Sequence, residues 1–282
     1  LVTLPTTRIT FAPPHTRGNA DFSGNGPRVT AMVTLVTTAQ ERPDQAAIKF
    51  MGNDISYAQI HGMAAKVAGS LKAAGIEPGE AVGVVGRNGS GKTTLLRILA
   101  TALRPTRGAG QVWGYDLVEE AGRVRGVVGL LAHEPGLYDD LTAAENLRFA
   151  LRMAGLPAEE RAIAEALAAV GLAREAGERV RGFSAGMRRR LALARLLVRR
   201  PRVLLLDEPY ASFDAAGVQV VNAFARRTRE AGGAVVVATH DMARGEGVLD
   251  RILHLEGGRL TSVEPAEALA LVEAGRPMER PE

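Results

Sequence analysis

The chain has 282 residues, 46% of them apolar and 23% charged, with 32 glycines, no cysteine and a formal net charge of +4 at pH 7. This length and balance hold one large or two small folded units, exclude a collagen-like or wholly disordered chain, and rule out disulfides, thiolate nucleophiles and cysteine-based zinc sites. No apolar run approaches the roughly eighteen residues that span a bilayer, and no signal-peptide pattern is present.

Residues 1–31 are rich in Pro, Gly, Thr and Asn without a sustained period and are expected to be disordered; Met32 is the first methionine and a candidate start of translation. VTTAQERP reads as a short helix ended by Pro43. AAIKF and DISYA read as two strands about a turn at Met51-Gly52-Asn53. Ile60, Met63, Ala64, Val67 and Leu71 then recur at helical spacing until Gly75. After Pro78-Gly79-Glu80 comes AVGVVG, a buried-strand pattern. From there strands and helices alternate to about residue 260, which predicts an α/β fold with a mainly parallel sheet. Four strands are legible: AVGVVG, VVGLLA, RVLLLDE and AVVVATH. The block 137–200 reads as helical, with Thr142 and Glu145 as a capping box, and residues 263–282 as a polar tail, helical at most. Arg188–Arg190 and Arg199, Arg200 and Arg202 flank LALARLLV and read as solvated parts of one helix and its exit, so no nucleic-acid partner is expected.

Gly86-Arg87-Asn88-Gly89-Ser90-Gly91-Lys92-Thr93 fits GxxxxGK[ST] between a strand and the helix TTLLRILATAL. Glycines let backbone N–H groups curl around phosphate oxygens, and the helix start adds partial positive charge. Lys92 reaches the β- and γ-phosphates in such a loop and Thr93 holds Mg²⁺. In VLLLDE, Asp207 closes a buried strand where it can hold Mg²⁺ through water, and Glu208 is placed to orient or deprotonate an attacking water. Alone, LLLDE would be a strand end with a solvated acidic pair; beside the phosphate loop it reads as a phosphoryl-transfer site. A GTPase would need an Asn-Lys-x-Asp base reader, and a chromosome-maintenance ATPase long heptad arms; the chain has neither.

Gly86–Thr94, Phe183-Ser184-Ala185-Gly186-Met187, Asp207-Glu208-Pro209, Ser212-Phe213-Asp214 and Thr239-His240 occur in one order over about residues 78–262. In this the chain resembles the ATP-binding subunits of ABC transporters. The resemblance implies a P-loop NTPase fold with an inserted helical subdomain at about 137–200 and an ATPase domain at 81–262. It implies ATP and Mg²⁺ as cofactors, with ATP held by Gly86, Asn88, Gly89, Ser90, Gly91, Lys92, Thr93 and Thr94. It also implies a head-to-tail homodimer in which Ser184 and Gly186 contact the γ-phosphate bound by the opposite subunit and Asp214 lies at the seam. A Ser N-cap with open N–H groups suits an anion. His240 resembles the switch histidine that contacts γ-phosphate; without the family it would read as a capped strand-end histidine. His133 stands where the family usually has glutamine, and is expected to sense nucleotide and couple to a transmembrane permease subunit. The location implied is peripheral, on the cytoplasmic face of the inner membrane. The signature FSAGM, with RRRLALARLL and DEPYASFD, is similar to the haem-exporter ATPase of cytochrome c maturation.

The front of the chain departs from that pattern. The two antiparallel strands and adenine-stacking aromatic that normally precede the phosphate loop are not found; Tyr57 is the nearest upstream aromatic. Residues 32–80 instead resemble the opening of AMP-forming acyl-CoA synthetases, without that family's later Ser/Thr/Gly-rich ATP loop, so ligase activity is not expected. The basic residues number 31 arginines and four lysines, and no lysine follows Lys92. The expectation is a chimera joined at 78–84, the alternative being a divergent ABC subunit with an unusual N-terminal extension; for activity, an inactive fusion is the alternative to a working ATPase.

Overall fold

The computed structural model describes residues 46–50, 53–56, 75–132, 136–211, 213–245 and 247–274. The expectations for residues 1–45 and 57–74, Tyr57, His133, Ser212 and the end of the tail lie outside the described residues. β1 (Ala46–Phe50) and β2 (Asn53–Ser56) form the expected antiparallel hairpin and, among the described residues, pair with each other.

The main sheet has six strands in the order β10-β9-β3-β8-β7-β6. These are β3 (Ala81–Val85), β6 (Val128–Leu131), β7 (Val203–Asp207), β8 (Ala234–Ala238), β9 (Arg251–Glu256) and β10 (Arg259–Val263). All pair in parallel except β10, which runs antiparallel to β9. β3, β7 and β8 are buried along their whole length, as continuous apolar runs covered on both faces require. Their side chains alternate between two layers. Leu204, Leu206, Val235 and Val237 join a core with Leu147, Ile163 and Leu191, whereas Val203, Leu205, Ala234 and Val236 join one with Leu95 and Leu96. Each fully buried leucine contributes roughly 1.5–3 kcal/mol.

Two of these strands go beyond the four legible in sequence. RILHLE is bounded by charges and carries a buried histidine, and RLTSV, the edge strand, exposes Arg259, Thr261 and Ser262. The Gly257-Gly258 pair between them, with φ of +56° and +81°, makes the tight turn. A small hairpin of β4 (Gln111–Val112) and β5 (Tyr115–Asp116) turns through Trp113-Gly114, and α2 (Ala121–Val127) leads into β6.

α1 (Lys92–Leu99) ends before the expected TTLLRILATAL does. Thr101 adopts a left-handed conformation, φ +55°, which cannot propagate a right-handed helix. Between β6 and β7 lie α3 (Ala143–Met153), α4 (Glu160–Ala169) and α5 (Ala185–Arg199), packed through Leu147, Leu151, Ile163, Leu167 and Leu191. The capping box opens α3: Thr142 Oγ1 accepts from Glu145 N at 3.2 Å, and Glu145 Oε2 accepts from Thr142 N at 2.8 Å. Arg148 clasps Glu160 with two bonds of 2.8 Å, joining α3 to α4. α6 (Ala215–Glu230) and α7 (Pro265–Ala274) complete the elements. No helix among the described residues is long and apolar enough to cross a membrane.

Candidate functional site

The C-terminal ends of β3, β7 and β8 lie side by side, and the chain leaves each of them into a loop that carries polar residues. From β3 it enters the loop 86–91. Gly86 has φ +152°, and a Cβ there would sit 2.5 Å from the Leu255 carbonyl oxygen of β9 and 2.9 Å from Ser90 Oγ, so no other residue fits. Gly91 caps α1 with φ +107° and offers no side-chain acceptor, which leaves the first-turn N–H groups open to an anion. Ser90 Oγ is buried without a hydrogen-bond partner. An orphaned hydroxyl inside a ring of backbone donors fits a phosphate. Asn88 and Gly89 are exposed at the tip of the loop, and Thr94 is half-buried beside it.

Lys92 folds back over this loop, its Nζ donating to Gly86 O at 2.6 Å and Arg87 O at 3.2 Å. Burial draws its pKa below the ordinary lysine value, while the charges of Glu208 and Asp207 oppose that drop. Thr93 Oγ1 donates to Asp207 Oδ1 at 3.2 Å, across from α1 to the end of β7. A hydroxyl and a buried carboxylate are hard oxygen ligands suited to Mg²⁺, which takes one or two protein oxygens and completes its shell with phosphate and water. No cluster of three or more His, Asp or Glu that could hold a metal alone occurs among the described residues.

Glu208 follows with φ +47°, its N–H bonded to Ala238 O of β8 at 2.8 Å. The turn carries its carboxylate to His240: Nδ1 of His240 lies 2.8 Å from Glu208 Oε2, and the His240 N–H donates to the same oxygen at 3.4 Å. Lys92, Thr93, Asp207, Glu208 and His240 therefore form one group. Ser184, Gly186 and Asp214 share no hydrogen bond with it among the described residues. Ser184 caps α5 by accepting from Met187 N at 3.2 Å, and Asp214 caps α6 by accepting from Gly217 N at 2.8 Å.

Two arginines at the site escaped the sequence reading. Arg189, placed there among the solvated charges, is 6% exposed, and its Nη2 donates to Asp207 O at 3.0 Å and to Glu208 O. Its spacing from Ala192, Leu193 and Leu196, all buried, puts it on the inward face of α5 and was the available signal. Arg244 spans the loops after β7 and β8, bonding Tyr210 O at 3.2 Å, Phe213 O at 3.3 Å and the Asp241 carboxylate at 3.0 Å.

The ABC transporter family matches residues 72–211. The ABC transporter ATP-binding protein NatA of Bacillus subtilis is 36% identical over 188 residues, 66% of this chain and 76% of that protein. The cytochrome c biogenesis ATP-binding export protein CcmA of Bordetella bronchiseptica is 44% identical over 172 residues, 61% of this chain and 75% of that protein. Among solved structures, the dimeric ATP-binding cassette MJ0796 bound to ADP and Pi superposes with a TM-score of 0.61 at 27% identity, covering 67% of this chain and 87% of that one. The family match begins ahead of the junction expected at 78–84, and these matches support neither an acyl-CoA-synthetase-like segment nor a chimera. With this architecture, this site and these relatives, the chain belongs to the ATP-binding proteins of ABC transporters and carries an ABC-type ATPase domain.

Proposed function

We propose that this chain binds ATP with Mg²⁺ on the loop 86–91 and hydrolyses it with Glu208 as the water-orienting base. The observation that carries this reading is the convergence of Lys92, Thr93, Asp207, Glu208 and His240 at the ends of adjacent parallel strands. Lys92 neutralises β- and γ-phosphate oxygens, while the amides of residues 86–93 surround them. Thr93 and Asp207 would hold Mg²⁺, which would supply positive charge to the phosphates. Glu208 orients the attacking water and accepts its proton through the carboxylate oxygen that His240 leaves free. His240 restrains that carboxylate and stands ready to contact the γ-phosphate.

Ser184 and Gly186, at the exposed start of α5, serve the nucleotide of a second copy in a head-to-tail dimer, with Asp214 at the seam. The dimeric state of the similar MJ0796 cassette supports this arrangement. The dimer powers a transmembrane permease subunit from the cytoplasmic face of the inner membrane, with His133 as the nucleotide-sensing link. The identity to CcmA and the FSAGM signature support export in cytochrome c biogenesis.

ATP hydrolysis by the full chain, compared with Lys92→Ala and Glu208→Gln, tests the reading. Each substitution is expected to lower the rate by roughly 100-fold or more. Activity that survives either change within tenfold overturns the mechanism.

A further inference from the structure

Arg189 is a charge placed where charge is costly. Burial disfavours its cationic form, with Asp207 and Glu208 opposing that effect. Yet the guanidinium does not spend its donors on a carboxylate: Nη2 meets the main-chain carbonyls of Asp207 and Glu208, and Nε is buried without a partner. Two successive carbonyls can converge on one nitrogen because Glu208 is left-handed, at φ +47°. That conformation crowds a non-glycine Cβ against its own carbonyl and needs outside support. The same turn brings the Glu208 carboxylate to His240. Arg189 comes from α5, five residues past the Ser184 cap, so little more than one rigid turn of helix separates the clamp from the start of α5.

We propose that Arg189 is a positioning residue for hydrolysis: it fixes the turn at Glu208 and ties the direction of that carboxylate to α5. The inference rests on the reading above, in which Glu208 orients water and the start of α5 contacts the partner's nucleotide. It adds a physical link between the two. A nucleotide contact that shifts α5 at one site moves the carbonyl clamp, and with it the base, at the other. Arg189 therefore acts on turnover and on cooperation between sites, not on nucleotide affinity.

The test compares wild type, Arg189→Met and Arg189→Lys as full chains, measuring ATPase rate against ATP concentration and binding of a fluorescent ATP analogue. Arg189→Met is expected to lower kcat by roughly 100-fold, the scale of a 1 Å misplacement. Analogue affinity stays within threefold and the Hill coefficient falls toward one. Arg189→Lys, which keeps a donor on the same face, recovers about a tenfold share of the lost rate. If Arg189→Met does not fold, Arg189→Lys decides alone: kcat down about tenfold with affinity kept supports the clamp. A kcat within threefold of wild type in the folded variants, or affinity lost in step with kcat, overturns it. If the wild-type rate does not depend on Glu208, as the Glu208→Gln control reports, the underlying reading fails instead.

Discussion

Tyr210, two residues past Glu208, is buried, and its hydroxyl donates to Asn222 Oδ1 at 2.9 Å. Burial pushes the phenol up to about 12, with the Asp241 charge adding to the rise and Arg226 opposing it. The folded value lies above the unfolded one of roughly 10, so the folded chain holds this proton more tightly. The stabilisation is complete below pH 10 and is lost as the pH rises from 10 to 12, about 2–3 kcal/mol in all. Urea denaturation at successive pH values should show wild-type stability falling across that window. Tyr210→Phe, with no proton to lose, should fall less steeply. At the same scale, Lys92, Thr93, Asp207 and Glu208 were legible because phosphate chemistry fixes both their types and their spacing. Arg189 was not: a run of three arginines hides the one that the helical period turns inward. The Glu208–His240 pair was named residue by residue, but their contact depends on a left-handed turn that no residue type announces.

Among the elements, α3 has the most explicit start signal, and the reciprocal Thr142–Glu145 bonds satisfy two N–H groups that the helix itself leaves open. Thr142→Ala should cost about 1 kcal/mol of stability, read as a lowered thermal midpoint, without altering the ATPase rate of folded protein. Apolar pattern alone revealed β3, β6, β7 and β8, because strands covered on both faces have little choice of residue. It missed β9, where charged ends and the buried His254 interrupt the apolar run, and β10, whose exposed polar positions reflect its place at the sheet edge. It also overran the end of α1, where the left-handed Thr101 breaks the helix although the surrounding residues favour it.

For the whole molecule, strand order is what makes a site from distant sequence. Residues near 90, 207 and 240 meet because β3, β8 and β7 are neighbours with their C-terminal ends at one margin, where open parallel sheets collect ligands. The proposed completion of the site by a second copy has a hydrodynamic consequence. Glu208→Gln with ATP and Mg²⁺ should run at twice the 29.8 kDa chain mass by light scattering, because the sandwich forms and is not hydrolysed apart. Adding Lys92→Ala should return it to the monomer mass; a mass that ignores nucleotide would count against the head-to-tail arrangement.

The position of β3 between β8 and β9 also sets when the site can exist. A nascent chain that has reached residue 211 has every phosphate-loop residue and both carboxylates. Its β3 still has two open edges, and the Leu255 carbonyl that closes against Gly86 has not been made. Only when residues 234–256 leave the ribosome can the strand beneath the loop acquire both neighbours. Nucleotide competence is therefore a late event of synthesis, and a polypeptide cut short before that point would carry the motifs without the pocket.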